Sequence, residues 1–228
     1  MKLTKKSGRL LGLLFLASVI TGGTATALRN LTGVKTNSID FLNHVLAHVS
    51  EMKLAIYTDI LSSIIALGIA IFVFPYIKKY NQRLAISYFG IGLIDFIVII
   101  VSNIIHIALL SVSTDFANSG ATVIETNYTV LANMLYDMYY WSHFLMLMFY
   151  SVGGSMLYYF LYKVKLIPTW LSIWGLLASA IVFMGGALQM ADVTVSFLMF
   201  VQNGVFVLSF IIWLLVFGFN IEKFNSHA

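Results

Sequence analysis

Six apolar windows constrain this chain more than any other feature. They run over about Leu10–Leu28, Leu54–Phe74, Leu84–Leu110, Tyr139–Leu161, Trp170–Met190 and Phe197–Phe219. A helix needs about 20 mostly apolar residues to cross roughly 30 Å of hydrocarbon, and each window meets that length. The chain is 60% hydrophobic and only 10% charged, whereas a soluble domain is about half apolar and about a quarter charged. Too few polar groups exist to cover a water-facing surface, so lipid is the expected solvent. The fold class that follows is all-α: a polytopic membrane protein, a six-transmembrane-helix bundle. No repeat, low-complexity tract or linker divides it, so residues 1–228 read as a single integral membrane domain.

Sidedness follows from the basic residues, which favour cytoplasmic loops. With the N-terminus inside, the inner side holds Lys2, Lys5, Lys6, Arg9, Lys78, Lys79, Arg83, Lys163, Lys165 and Lys223. The outer side holds Arg29, Lys35 and Lys53. Ten of the 13 Lys and Arg residues thus fall inside. Aromatic residues flank the spans in the manner of membrane-interface belts, as at Tyr139, Tyr140 and Trp141, and at Tyr158, Tyr159 and Tyr162. The expected location is a bacterial cytoplasmic membrane with N-terminus and C-terminus both inside.

The opening MKLTKKSGRLLGLLFLASVITGGTATA also has the build of a cleavable signal: a basic head, an apolar middle and small residues at Ala25 and Ala27. Its apolar stretch is nevertheless long enough to span, and Gly22 and Gly23 suit close helix packing. Cleavage and retention as the first wall of the bundle both stay open on these residues alone. The sequons Asn30-Leu-Thr and Asn127-Tyr-Thr both fall on the outer side.

After Asn37-Ser-Ile-Asp, which can cap a helix start, Leu42, Val45, Leu46, Val49 and Met52 recur at helical spacing. This predicts a short amphipathic outer helix before the second span. Its other face carries Asp40, His44, His48 and Glu51. Two imidazoles and a carboxylate at offsets of four and three are a ligand set that zinc accepts. The plainer reading of His44, His48 and Glu51 is the solvated side of an interfacial helix, and no metal site is assigned to them.

Polar groups inside the spans carry most of the functional information, because a charge at the bilayer centre costs about 3 kcal/mol on insertion scales. The inventory is Asp59, Asp95, His106, Asp137, His143, Gln202 and Asn203, with Ser62, Ser63 and Ser102 on the same helix faces. At 1.5 Å per residue, Asp59 lies roughly 8 Å below the outer edge and Asp95 near mid-membrane. The polar groups concentrate in the outer half, where they could line one pocket. The alternative is a set of structural clasps between helices. Gly153-Gly154, Gly175 and Gly185-Gly186 read as packing surfaces.

Several stretches resemble an uncharacterised bacterial family of multi-pass membrane proteins, domain of unknown function 4386. They are GRLLGLLFLASVITG, HVLAHVSEMKLAIYTDILSSI with Lys53 and Asp59, FPYIKKYNQRLAISYFG, and FYSVGGSMLYYFLYKVKLIPTWLSIWGLLAS. The resemblance covers essentially the whole chain and implies the bundle, with GRLLGLLFLASVITG retained as its first span. It implies no activity.

Three functions are compatible with these residues. The first is a non-enzymatic helical bundle acting through lipid, small ligand or protein partners. The second is a transporter or small-ligand binding protein with an outer-half polar pocket open to a small molecule or cation. The third is a metal-dependent membrane hydrolase built on intramembrane Asp and His. No Gly-rich phosphate loop, nucleophile elbow or cofactor fingerprint is present, so no cofactor is expected. With no cysteine, the chain has no disulfide or thiolate site. Clustered basic residues on a polar face, the mark of nucleic-acid binding, are missing too.

Overall fold

The computed structural model describes residues 3–29, 39–119 and 125–221. Among the described residues it is wholly helical: α1 (Lys5–Arg29), α2 (Ile39–Ala47), α3 (Val49–Tyr80), α4 (Gln82–Ser119), α5 (Glu125–Lys163), α6 (Thr169–Met190) and α7 (Leu198–Phe217). All but α2 are long and apolar enough to cross a membrane. The capping sequence at Asn37 and the Asn30 sequon lie outside the described residues.

The outer wall differs from that of a water-soluble fold. Leu13, Ile20, Ile64, Ile71, Ile104, Leu177 and Ile212 stand exposed on it, while Arg29, Ser63, Asn103, His106 and Ser179 are buried among apolar residues. An apolar outer wall is what hydrocarbon solvent selects, since a polar side chain there must find a partner within the bundle. This protein is a multi-pass membrane protein.

The six spans form a ring. Each packs on its neighbour in the chain, and α7 closes back on α1. Close approach at the seam depends on glycine. Gly218 has φ +68, a left-handed conformation that costs glycine little, and a Cβ there would stand 2.5 Å from the Lys5 carbonyl oxygen. Further along, a Cβ at Gly12 would meet Leu214 at 2.9 Å, and Phe15 packs edge-on to Phe210 at 5.4 Å. Arg9 Nη2 donates to the Val216 carbonyl across the same seam. The start of α1 and the end of α7 therefore share one end of the ring. There the Asn220 amide also donates to the Leu166 carbonyl of the α5–α6 turn.

The connectors differ from the sequence reading. Pro75 was expected to open a short loop, yet α3 runs through it to Tyr80. Asn81 is the only break before α4. It leaves the helix at φ −155, and its side-chain oxygen accepts from the Leu84 amide at 3.0 Å, so it caps the following helix. At the other end, the polar segment Ser111–Asn133 was expected to be a loop. Instead α4 continues to Ser119 and α5 begins at Glu125. At 38 residues, α4 is roughly 57 Å long, well beyond a bilayer core.

These overlong ends are stabilised by α2. Phe41, Leu42 and Val45 are fully buried against Met52 and Ile56 of α3, Leu109 and Leu110 of α4, and Ala132 and Leu135 of α5. The predicted apolar stripe is real, but it docks on helix ends. A second cluster, around Ile77, Phe160, Leu161, Leu171 and Phe210, fills the basic end of the ring.

Candidate functional site

A cavity of about 490 Å³ lies inside the ring, walled by α1, α3, α4, α5 and α7. Two polar groups of side chains face it. The first is built on Arg29, the last residue of α1. Its Nη2 donates to Asp59 Oδ2 at 2.6 Å and to Asn103 Oδ1 at 2.9 Å. Asn103 Nδ2 donates to the same Asp59 oxygen at 2.9 Å and to the Ile99 carbonyl at 2.8 Å. Three helices are thereby joined by one closed triangle of hydrogen bonds. The Arg29 side chain is only 6% exposed and Asp59 18%, so this is a buried ion pair. Such a pair must recover a large desolvation cost through good geometry and further hydrogen bonds, which Asn103 supplies.

Aromatic rings extend the group. Arg29 lies over the Tyr139 ring, 5.6 Å from its centre. His106 packs edge-on to Tyr139 at 4.1 Å, and His143 is 6.3 Å from it on the far side. The His106 Nδ1 is 3.1 Å from the Ser102 carbonyl, while its Nε2 has no partner. Arg29 Nε likewise has none. Orphaned buried polar atoms are uncommon in native folds, and Arg29 is itself part of the cavity wall.

The second polar group sits about two helical turns further along α4. Asp95 faces the cavity with Tyr88, Tyr150 and Asn203. Asp95 Oδ1 is buried without a hydrogen-bond partner. The rest of the wall is mainly apolar or small, including Phe15, Ile69, Ile91, Leu157 and Val207.

The sequence-derived candidates divide accordingly. Asp59, Asp95, His143 and Asn203 line the cavity. His106 is buried behind Tyr139. Asp137 is exposed on α5, 3.5 Å from Asn133 Nδ2. Gln202 turns to α6, donating to the Ala178 carbonyl at 3.2 Å. Gln189 bonds the Tyr140 hydroxyl at 2.8 Å, linking α6 to α5. The glycines expected at helix contacts are there: Gly154 faces Ser179, Gly175 faces Tyr158 and Phe206, and Gly186 faces Met148.

Two residues of the first polar group escaped the sequence reading. Arg29 was counted as a loop charge because it follows the last apolar residue of its window. Asn103 lies inside an apolar run, one residue off the stripe of Tyr88, Asp95, Ser102 and His106. Depth alone could have paired Arg29 with Asp59, since both lie near the same end of their spans.

His44 and His48 pack ring to ring at 4.4 Å, with His48 Nδ1 2.9 Å from the His44 carbonyl. The helix does not run through them: His48, at φ −122 and ψ 29, separates α2 from α3, so the spacing to Glu51 is not that of one helical face. Among the described residues, no three His, Cys, Asp or Glu side chains are placed together as a metal set.

No curated protein and no solved structure matches this chain. The family profile of DUF4386, a domain of unknown function, matches residues 10–218, from the first turns of α1 to the residue that follows α7. The chain belongs to the DUF4386 family.

Proposed function

We propose that this protein is a non-enzymatic membrane protein that binds a small ligand in its central cavity. The observation that carries the reading is the placement of Arg29, Asp59 and Asn103 in the wall of a 490 Å³ space. Ligand sites are mostly apolar concavities of about 300–1,000 Å³ with a few convergent polar groups, and this space has that size and character.

The proposal includes a cytoplasmic membrane location with both termini inside. Withdrawal of Arg29 into the bundle supports it: of the described basic residues assigned outside, Lys53 alone is exposed, while Lys5, Arg9, Lys78, Arg83, Lys163 and Lys165 stay at the opposite end.

Native mass spectrometry on gently solubilised protein tests the binding. Wild type carries a retained small molecule. Ala66→Phe, which places a ring in the cavity, releases it while the melting temperature holds. A wild-type protein with no retained mass, and no added compound that Ala66→Phe expels, contradicts the proposal.

A further inference from the structure

The wall of the cavity is not uniform between α1 and α7. Their antiparallel contacts pair Gly8 with Gly218 and Phe219, Gly12 with Leu214, and Phe15 with Phe210. Continuing that register brings Val19 opposite Val207, and Gly22 and Gly23 opposite Asn203 and Gly204. Here the contacts stop. A Cβ at Gly23 or at Gly204 would meet nothing within 4 Å. Val19 and Leu208 line the cavity and are also exposed, 39% and 51%, on the outer wall. A residue that faces both sides marks a gap through the wall. Gly23 is six residues from Arg29, roughly 9 Å along α1, so the gap opens into hydrocarbon.

Charge decides what could enter. Arg29 is already balanced by Asp59 at 2.6 Å. The other carboxyl in the wall is Asp95, and His106, Tyr139 and His143 are the remaining ionisable groups near Arg29. An anionic head would bring a third acidic group to a single guanidinium that is already paired, in a site where an uncompensated charge is expensive. A neutral head with oxygen acceptors and hydroxyl donors suits the groups left over at that end: the unpartnered Arg29 Nε and the His143 ring, which lines the cavity.

We infer that the ligand is an uncharged, hydroxyl-bearing lipid that enters sideways from the bilayer between α1 and α7, its head at Arg29 and its chain in the gap. The inference rests on the cavity-binding reading and adds the ligand class and the route.

The test uses the full chain in liposomes with a diazirine-bearing monoacylglycerol, the fatty acid of the same chain as the charged control, and free glycerol as the water-soluble control. Light-induced adducts are mapped by mass spectrometry. Monoacylglycerol is expected to label the wall near Thr26, Arg29 and Asn203 more strongly than the fatty acid, with no competition from glycerol. Gly23→Leu and Gly204→Leu, singly and together, fill the gap where a side chain has room, and are expected to lose the label with melting temperature retained. Equal labelling in the filled variants, or stronger labelling by the fatty acid, overturns the inference. If neither lipid labels the wall but a water-soluble compound is retained and Ala66→Phe expels it, the lateral lipid route falls and cavity binding stands. If nothing labels and nothing is retained, both fall.

Discussion

One guanidinium nitrogen of Arg29 reaches both Asp59 on α3, at 2.6 Å, and Asn103 on α4, at 2.9 Å. The end of α1 is therefore held by charge at the level where α1 and α7 part. The basic end of the same helix is held by backbone contact at Gly8 and Gly218. The α1–α7 seam is thus closed by glycine packing at the basic end, while at the other end the ion pair ties α1 to α3 and α4 only.

Removing one member of that pair leaves the other charge buried and alone. Asp59→Leu or Arg29→Met is expected to destabilise the bundle by about 3–5 kcal/mol. Replacing both, as Arg29→Met with Asp59→Leu, is expected to recover most of that loss, because paired apolar side chains of similar size are often neutral. Unfolding of the four proteins in one detergent gives the coupling directly. Additive losses would show that the two residues act independently.

Glycine substitutions should separate the closed from the open half of the seam. Gly218→Ala forces a side chain into positive φ and against the Lys5 carbonyl, with an expected cost of about 1–3 kcal/mol. Gly204→Ala meets empty space within α7 and is expected to stabilise by about 0.5–1 kcal/mol. Thermal melts of the two variants check the opposite signs.

Because α1 forms one wall of the cavity and supplies Arg29, it is expected to remain on the mature protein. Intact mass of protein extracted from membranes should retain residues 5–29. A mature start near Leu28 would remove the wall and refute this.

Sidedness can be read with single cysteines, since the chain has none of its own. Asn127 and Arg83 are both exposed at helix starts on opposite ends of the ring. Asn127→Cys is expected to react with a membrane-impermeant thiol reagent in intact cells. Arg83→Cys should react only after permeabilisation. The reverse pattern would invert the proposed orientation.

The number of spans was legible because hydrocarbon thickness sets a length that six windows satisfy. Helix ends were not. The segments after Leu110 and before Asn133 are polar enough to read as a loop, and only the docking of Phe41, Leu42 and Val45 explains why they are helical. Of the intramembrane acids, Asp59 and Asp95 line the cavity. Asp137 is exposed instead, because its face depends on where α5 rotates in the ring. Arg29 and Asn103 became visible only through a contact 74 residues apart in sequence, which helical spacing within one span cannot report.

The central claim is an occupied cavity, and an experimental density map of the protein in lipid nanodiscs tests it most directly. The account predicts non-protein density inside the ring, touching Arg29 and extending toward the gap between Gly23 and Gly204. A ring whose helices close on one another with Arg29, Asp59 and Asn103 intact and no space between them would contradict it.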